Sequence, residues 1–456
     1  MTQEMRLPVD FCKKLTKTDY RLQARLSSRG CAMLISFAVE NFRSFDARQE
    51  VSFVCSALKD FSDGVIEVDF AHPIRLLPAL VVYGANAAGK SNLITSLEAM
   101  ISTVLNSHSR GRPEGRIPTR EAFRLDPAAL DRPTVFDINF FLEGEKYNYG
   151  FSITDKAVVA EWLYTFPQAV PRKLFERAGK AFSFGRSLKG KNKVIEGLTR
   201  ENSLFLSAAA QNSHDELLKV YNYFSSIKIE TMNHSFSFQA AARLENELED
   251  KESLEFGDSM IAFLKELNSG IVGYRIKERN LSEDEKDIAR KVGALFKDLV
   301  DSSDSEVDLQ FDKSLERVLE LEHSGKDGLR IFFPIRDESA GTLRLLASLP
   351  KIFKALASGS VVLIDELNLS VHTQAVEQIL RLFCSRETNP KGAQLLATVH
   401  DTNLLASQVL RRDQVWFVSK NSTGMSEVYP LTDFRTRASD DLERGYLEGR
   451  FGATPL

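Results

Sequence analysis

The clearest chemistry in the chain sits in Gly84-Ala85-Asn86-Ala87-Ala88-Gly89-Lys90-Ser91, which has the spacing G-x-x-x-x-G-K-[ST]. Glycines at both ends let the backbone turn so that successive N–H groups converge, a concave donor set suited to phosphate oxygens. Lys90 would reach the β- and γ-phosphates of a nucleoside triphosphate, and the Ser91 hydroxyl would hold Mg²⁺. From Asn92 the chain turns helical, and the positive end of that helix adds to the pull on an anion. Gly84 to Asn92 is thus the expected binding loop. No N-K-x-D pattern follows it, which disfavours a guanine base.

Further reactive side chains stand at the ends of apolar runs. Val361-Val362-Leu363-Ile364 leads into Asp365-Glu366. Four consecutive aliphatic residues suit a strand buried on both faces of a parallel sheet, which delivers its terminal acids to the carboxyl edge beside the phosphate loop. There Asp365 is expected in the Mg²⁺ shell, and Glu366 beside the water that attacks the γ-phosphate. Gln394 to Val399 runs likewise into His400-Asp401, where an imidazole can donate to the γ-phosphate and register its loss. Between loop and acids lies Asp337-Glu338-Ser339-Ala340-Gly341-Thr342, feeding a helix from Leu343 to Ala357. A serine and a small flexible pair at a helix start form a second anion site, or a plain N-cap. Taken singly these are weak signals; in this order they reinforce one another.

These residues need elements to hold them. Leu80-Val81-Val82-Tyr83 reads as the strand emptying into the loop, and Met33 opens another at Leu34 to Glu40. Val135–Phe141 and Tyr147–Ile153 flank Glu143-Gly144-Glu145 as a hairpin; Val158–Tyr164 and Lys173–Glu176 follow. Residues 33–184 therefore read as an N-terminal lobe carrying the phosphate loop and an antiparallel sheet. Residues 185–330 read as a mainly helical insert. Within it Asp258 is expected to cap a helix that ends at Gly270, and Ser282-x-x-Glu285 opens another with Ile288, Val292, Leu295, Phe296 and Leu299. Arg317–Glu322 and Leu329–Ile335 form a hairpin near its end. Residues 331–456 form the C-terminal lobe, and residues 1–32, mildly basic and weakly patterned, a flexible or artefactual extension.

Composition narrows the class. At 456 residues, 43% hydrophobic and 27% charged, the chain is that of an ordinary globular protein. A net charge of −4 supplies no global field for nucleic acid. Cys12, Cys31, Cys55 and Cys384 form no C-x-x-C pair, which suits a reducing cytoplasm. No apolar run approaches the length of a membrane helix.

The order of phosphate loop, Ser-x-Gly at a helix start, apolar strand with Asp-Glu and strand with His resembles the SMC/RecF/OLD branch of ABC ATPases. More closely it is similar to the small ATPases of phage-defence and abortive-infection operons (the RloA, AbiL, PARIS and Septu type). Glu40-Asn41-Phe42-Arg43-Ser44-Phe45, Glu161-Trp162-Leu163-Tyr164, Ser370-Val371-His372, Asp413-Gln414-Val415-Trp416-Phe417 and Gly445 to Pro455 also carry the likeness. The resemblance implies an α/β P-loop NTPase of ABC-ATPase type, with an antiparallel β-subdomain, using ATP and Mg²⁺. It implies catalysis by Lys90, Glu366 and His400, metal binding by Ser91 and Asp365, and heads that dimerise face to face. Ser339, Ala340 and Gly341 of one subunit would then meet the γ-phosphate held by the other. Position 340 is Ala where transporters carry Gly, and position 368 is Asn where many relatives have Asp. Too little chain follows His400 for a Toprim nuclease domain, so a separate effector, such as a nuclease, is the expected partner. The alternative is a RecF-like ATPase that binds DNA.

Overall fold

The computed structural model describes residues 32–61, 63–70, 73–231, 251–280 and 315–454. The extension at 1–31, the helix expected after Ser282 and most of the acidic patch at 245–255 lie outside them. The chain divides into two units, one formed by residues 1–234 and 351–456 and the other by residues 235–350.

The first unit opens with β1 (Met33–Glu40), β2 (Gln49–Ser52), the short ribbon β3 (Ile66–Val68) and β4 (Ile74–Leu76), then β5 (Ala79–Tyr83) and helix α1 (Lys90–Asn106). Strands β6 (Thr134–Leu142), β7 (Glu145–Ile153), β8 (Val158–Thr165), β9 (Arg172–Ala178) and β10 (Ala181–Phe184) follow. With β1 and β2 they make a seven-stranded antiparallel sheet in the order β10-β9-β8-β7-β6-β1-β2. β6 shows why: its buried residues alternate as far as Phe140, the period of a sheet with one face on a core. Glu143 and Gly144 both take positive φ, as a two-residue hairpin turn demands.

Helices α2 (Asn192–Leu198), α3 (Phe205–Gln211) and α4 (Asp215–Ser226) precede β11 (Lys228–Glu230). These helices, expected in the insert, pack instead on the first unit's core: Phe205 lies against Phe175 of β9, and Tyr223 stacks on Phe140 of β6 at 4.2 Å. Their apolar faces have the aromatic side of the antiparallel sheet to cover, which sequence periodicity alone does not disclose.

The second unit contains α5 (Lys251–Glu266) and an antiparallel three-stranded sheet of β12 (Ile271–Asn280), β13 (Leu315–Ser324) and β14 (Arg330–Pro334). This unit thus holds a sheet as well as helix. The sequence reading named no strand at β12. Asp258 is not a cap, because α5 starts upstream and runs through it. The residue before it, Gly257, is small for a packing reason: a Cβ there would meet the Tyr274 hydroxyl at 2.3 Å. The expected hairpin at 317–335 is present.

Helix α6 (Ala340–Ser358) carries the chain back to the first unit, where β15 (Val361–Ile364), α7 (Thr373–Cys384), β16 (Gln394–Thr398), α8 (Asn403–Ala406), β17 (Val415–Lys420), β18 (Ser426–Pro430) and α9 (Leu442–Leu447) follow. The second sheet has the order β11-β15-β16-β5-β17-β18 and is parallel except for β18. β15, β16 and β5 are buried at every residue, which accounts for their unbroken apolar runs. The buried Gln394 side chain joins the two sheets, accepting from Leu34 N–H at 2.7 Å and donating to Leu34 C=O at 2.9 Å.

Candidate functional site

Because β5, β15 and β16 are parallel neighbours, the Gly84 loop, the Asp365-Glu366 pair and His400 leave the sheet at the same edge. Gly84 and Gly89 have φ of 156° and 116°. A Cβ on Gly84 would meet the Val418 carbonyl oxygen at 2.2 Å, and one on Gly89 the Ser426 hydroxyl at 2.4 Å. Ala87 also lies in the left-handed region, at φ 61°. The loop is therefore held in its turned shape by close packing on β17 and β18, and Lys90 follows as the first residue of α1. Ser91 and Asn92 occupy the same first turn.

The Lys90 ammonium is buried and donates to the carbonyls of Gly84 at 2.7 Å and Ala85 at 3.0 Å. Burial lowers its pKa to about 8, against the opposing pull of Glu366 and Asp365. His400 senses the same group. Burial and the Lys90 charge push its pKa down, while Glu366 and Asp365 push it up. Its Nε2 stands 3.7 Å from Glu366 Oε1.

Thr398, fully buried at the end of β16, fixes the two acids. Its hydroxyl accepts from Glu366 N–H at 2.7 Å and donates to Asp365 Oδ1 at 2.6 Å. Asp365 N–H in turn donates to Glu230 C=O on β11 at 2.9 Å. Glu366 takes φ 54°, a conformation costly for a side-chain-bearing residue and common at functional sites. Asn368 holds the other side, its Oδ1 accepting from His400 N–H at 2.9 Å. His372 caps α7 by accepting from Gln374 N–H at 3.2 Å.

The structure thus brings Lys90, Asp365, Glu366 and His400 together. Ser339, Ala340 and Gly341 belong partly to the end of β14's following turn and to α6, within the second unit. There Ser339 Oγ accepts from Thr342 N–H at 3.1 Å as an N-cap, and both Ser339 and Ala340 are exposed. Glu338, just before them, is tied to His323 at 2.7 Å.

Three supports escaped the sequence reading. Thr398 is one. Ser44 is another: its hydroxyl accepts from Asn92 Nδ2 at 2.7 Å, and its carbonyl from Ser426 N–H at 2.8 Å, bracing the loop. Ser426 itself is the third, donating to Ala88 C=O at 2.5 Å. Hydroxyls at strand ends are common, and only the pairing of distant strands singles these out.

The residues fit a magnesium triphosphate. The donor-lined turn has no room for a Cβ at either glycine, the buried ammonium follows it, and a hydroxyl and a carboxylate supply hard oxygen ligands. A phosphate loop, an acidic strand end and a histidine on a sheet of this order, beside an antiparallel sheet, define an SMC/RecF-like P-loop ATPase of the ABC type. The profile of the family described as "AAA domain, putative AbiEii toxin, Type IV TA system" matches residues 79–406, and the chain belongs to that family.

Among solved structures, the chain is similar to the SMC head domain from Thermotoga maritima, at 14% identity and TM-score 0.39, covering 87% of this chain and 98% of that one. A SmcHead bound to the C-winged helix domain of ScpA matches at 15% identity and TM-score 0.41, over 87% and 97% of the two chains. The Smc head domain with an extended coiled coil bound to the C-terminal domain of ScpA, derived from Pyrococcus furiosus, matches at 15% and 0.36, over 88% and 97%. No curated protein matches. Among the described residues no helix is long and apolar enough to cross a membrane.

Proposed function

We propose that the protein binds and hydrolyses ATP as a dimerising switch of an antiphage, abortive-infection system, acting through a separate effector such as a nuclease. The observation that supports this most is the arrival of the Lys90 loop, the Asp365-Glu366 pair and His400 at one edge of a parallel sheet, with His400 Nε2 3.7 Å from Glu366 Oε1. In this reading the loop amides from Gly84 to Asn92 and Lys90 bind the phosphates, and Ser91 and Asp365 hold Mg²⁺. Mg²⁺ held there would supply neutralisation of phosphate charge. Glu366 takes the proton of the attacking water, oriented by Thr398 and the turn at φ 54°. His400 donates toward the γ-phosphate. Ser339, Ala340 and Gly341 of a second copy complete the pocket. Family membership supports the defence setting, since the family's description names a toxin of a toxin–antitoxin system.

Steady-state turnover and size-exclusion chromatography with MgATP test the reading. Lys90→Ala should abolish hydrolysis, and Glu366→Gln should accumulate ATP-bound dimers. Unchanged turnover in both variants removes the enzymatic assignment.

One feature favours the second reading, a nucleic-acid-binding ATPase. Residues 172–193 carry eight Lys and Arg against Glu176 alone. Arg186, Lys189 and Lys191 are exposed around a cavity of about 490 Å³ between β10 and α2. DNA-stimulated turnover, with binding that weakens steeply as salt rises, would mark that function.

A further inference from the structure

The last helix lies against two loops of the candidate site at once. Tyr446 of α9 packs its ring on Tyr83 (5.9 Å) and stacks on Phe417 of β17 (5.7 Å). Its hydroxyl donates to the Ala453 carbonyl at 3.3 Å, and the backbone amide of Gly84, the first residue of the phosphate loop, lies close enough to oppose the rise that burial imposes on its pKa. The Gly84 carbonyl accepts from Lys90 Nζ at 2.7 Å. Three residues earlier, and so on the same helical face, Glu443 Oε1 accepts from the Thr402 hydroxyl at 2.8 Å. Thr402 stands two residues after His400, in a loop anchored on its other side by the Thr373 hydroxyl to Asp401.

The segment after α9 folds back to hold the helix in place. Phe451 stacks on Phe417 at 5.4 Å, and its carbonyl accepts from the Tyr429 hydroxyl at 2.8 Å. Gly445 allows that return: a Cβ there would meet the Phe451 ring at 3.2 Å. An aromatic stack of this kind fixes the helix. The two polar tips, Tyr446 and Glu443, then reach the loops that surround the triphosphate.

The geometry points to α9 as a positioning element of the nucleotide site, with Tyr446 setting the first peptide of the phosphate loop and Glu443 setting the His400 loop through Thr402. This inference rests on the ATPase reading of the site and adds to it two residues that touch neither phosphate nor metal. The two contacts serve different stages. Gly84 belongs to the binding loop, so the loss of the Tyr446 hydroxyl weakens capture of MgATP. The Thr402 contact governs a histidine that acts on the γ-phosphate, so the loss of Glu443 slows the chemical step.

Kinetics separate these effects. Tyr446→Phe keeps the ring stack and should raise KM for MgATP about fivefold with kcat within about twofold. Glu443→Ala should lower kcat about fivefold with KM within about twofold, and Glu443→Gln, whose amide oxygen still accepts from Thr402, should restore most of it. Wild-type constants in both Tyr446→Phe and Glu443→Ala overturn the inference. So does a loss confined to the fraction of folded protein, measured by active-site titration with MgATP. Lys90→Ala is run alongside. Full turnover there removes the site reading itself, and this inference with it. An inactive Lys90→Ala beside unaffected α9 variants removes the role of α9 alone.

Discussion

The side-chain oxygen of Asn368 accepts the backbone N–H of His400 at 2.9 Å, so this side chain is engaged within its own chain. That contact fixes where the His400 loop leaves β16. Asn368→Ala should therefore lower kcat for ATP about tenfold while leaving KM within about twofold, because a misplaced imidazole costs rate rather than binding. Asn368→Asp retains an acceptor and should keep most of the rate. Steady-state kinetics read both, and a wild-type rate for Asn368→Ala would show the contact to be idle.

Proton uptake follows from the environment of Lys90. Its pKa is lowered to about 8 by burial, and a bound polyphosphate would raise it again. At pH 8.5 the free protein then holds Lys90 mostly neutral, and binding of MgATP must draw in a proton. Affinity should fall as pH rises above about 8. Calorimetry at pH 8.5 in buffers of different ionisation enthalpy should show that uptake, and Lys90→Arg should abolish it. The same shift has a sign for stability. A lowered lysine pKa means that the unfolded chain binds more protons between about pH 8 and its ordinary value of 10.5, so this group favours folding increasingly across that window.

His400 should titrate below the ordinary imidazole value of 6.5. Burial is the first cause and the Lys90 charge the second, with Glu366 and Asp365 opposing them. Removing the charge in Lys90→Met should therefore raise the His400 pKa, and Glu366→Gln should lower it. Imidazole proton NMR against pH checks both directions. Shifts of the opposite sign would place His400 outside the reach of these groups.

What the sequence disclosed follows from how local each signal is. The Gly84 loop, the acidic end of β15 and the histidine after β16 lie within short contiguous segments, and an unbroken apolar run announces a strand buried on both faces. Thr398 was silent, because nothing in Ala397-Thr398-Val399 tells that its hydroxyl reaches two residues of the neighbouring strand. Ser44 and Ser426 were silent for the same reason, being separated along the chain yet bonded beside Gly89. The stretch from Asn192 to Ser226 read as part of a mainly helical insert, not as part of the first unit. Its membership depends on Phe140 and Phe175, which lie far from it in sequence.

Thr398→Val tests the hub between the acids. Valine matches the shape of threonine but removes the fully buried hydroxyl that accepts from Glu366 N–H and donates to Asp365 Oδ1. Loss of a buried hydroxyl with two bonds should destabilise the fold by about 2 kcal/mol, read by urea denaturation. The Mg²⁺ concentration for half-maximal turnover should rise as Asp365 loses its orientation. An unchanged Mg²⁺ dependence would confine Thr398 to a structural role.

Glu161 is the strongest case for a buried charge kept for architecture. It is fully buried on β8, and its Oε2 accepts from Phe205 N–H at 2.6 Å. Its Oε1 accepts from Leu206 N–H and the Tyr149 hydroxyl, each at 3.0 Å. Those amides open α3, so the carboxylate caps a helix from a strand of the antiparallel sheet. Arg177 of β9 stands 3.9 Å away and is itself buried, donating to the carbonyl of Ser203 at 2.6 Å. Burial nevertheless raises the Glu161 pKa, with Arg177 and the three hydrogen bonds opposing. A raised carboxyl pKa means that the folded state holds the proton longer, so this group's contribution to stability falls as pH rises from 4.5 through the folded value. Glutamine at this position has one acceptor oxygen, and its NH₂ would face a backbone N–H while Arg177 loses its counter-charge. Glu161→Gln should cost about 3 kcal/mol of stability, measured by urea denaturation at pH 7, whereas an exposed charge would cost almost nothing. A change below about 1 kcal/mol would mean that Glu161 is carried neutral, with the α3 amides satisfied without its charge.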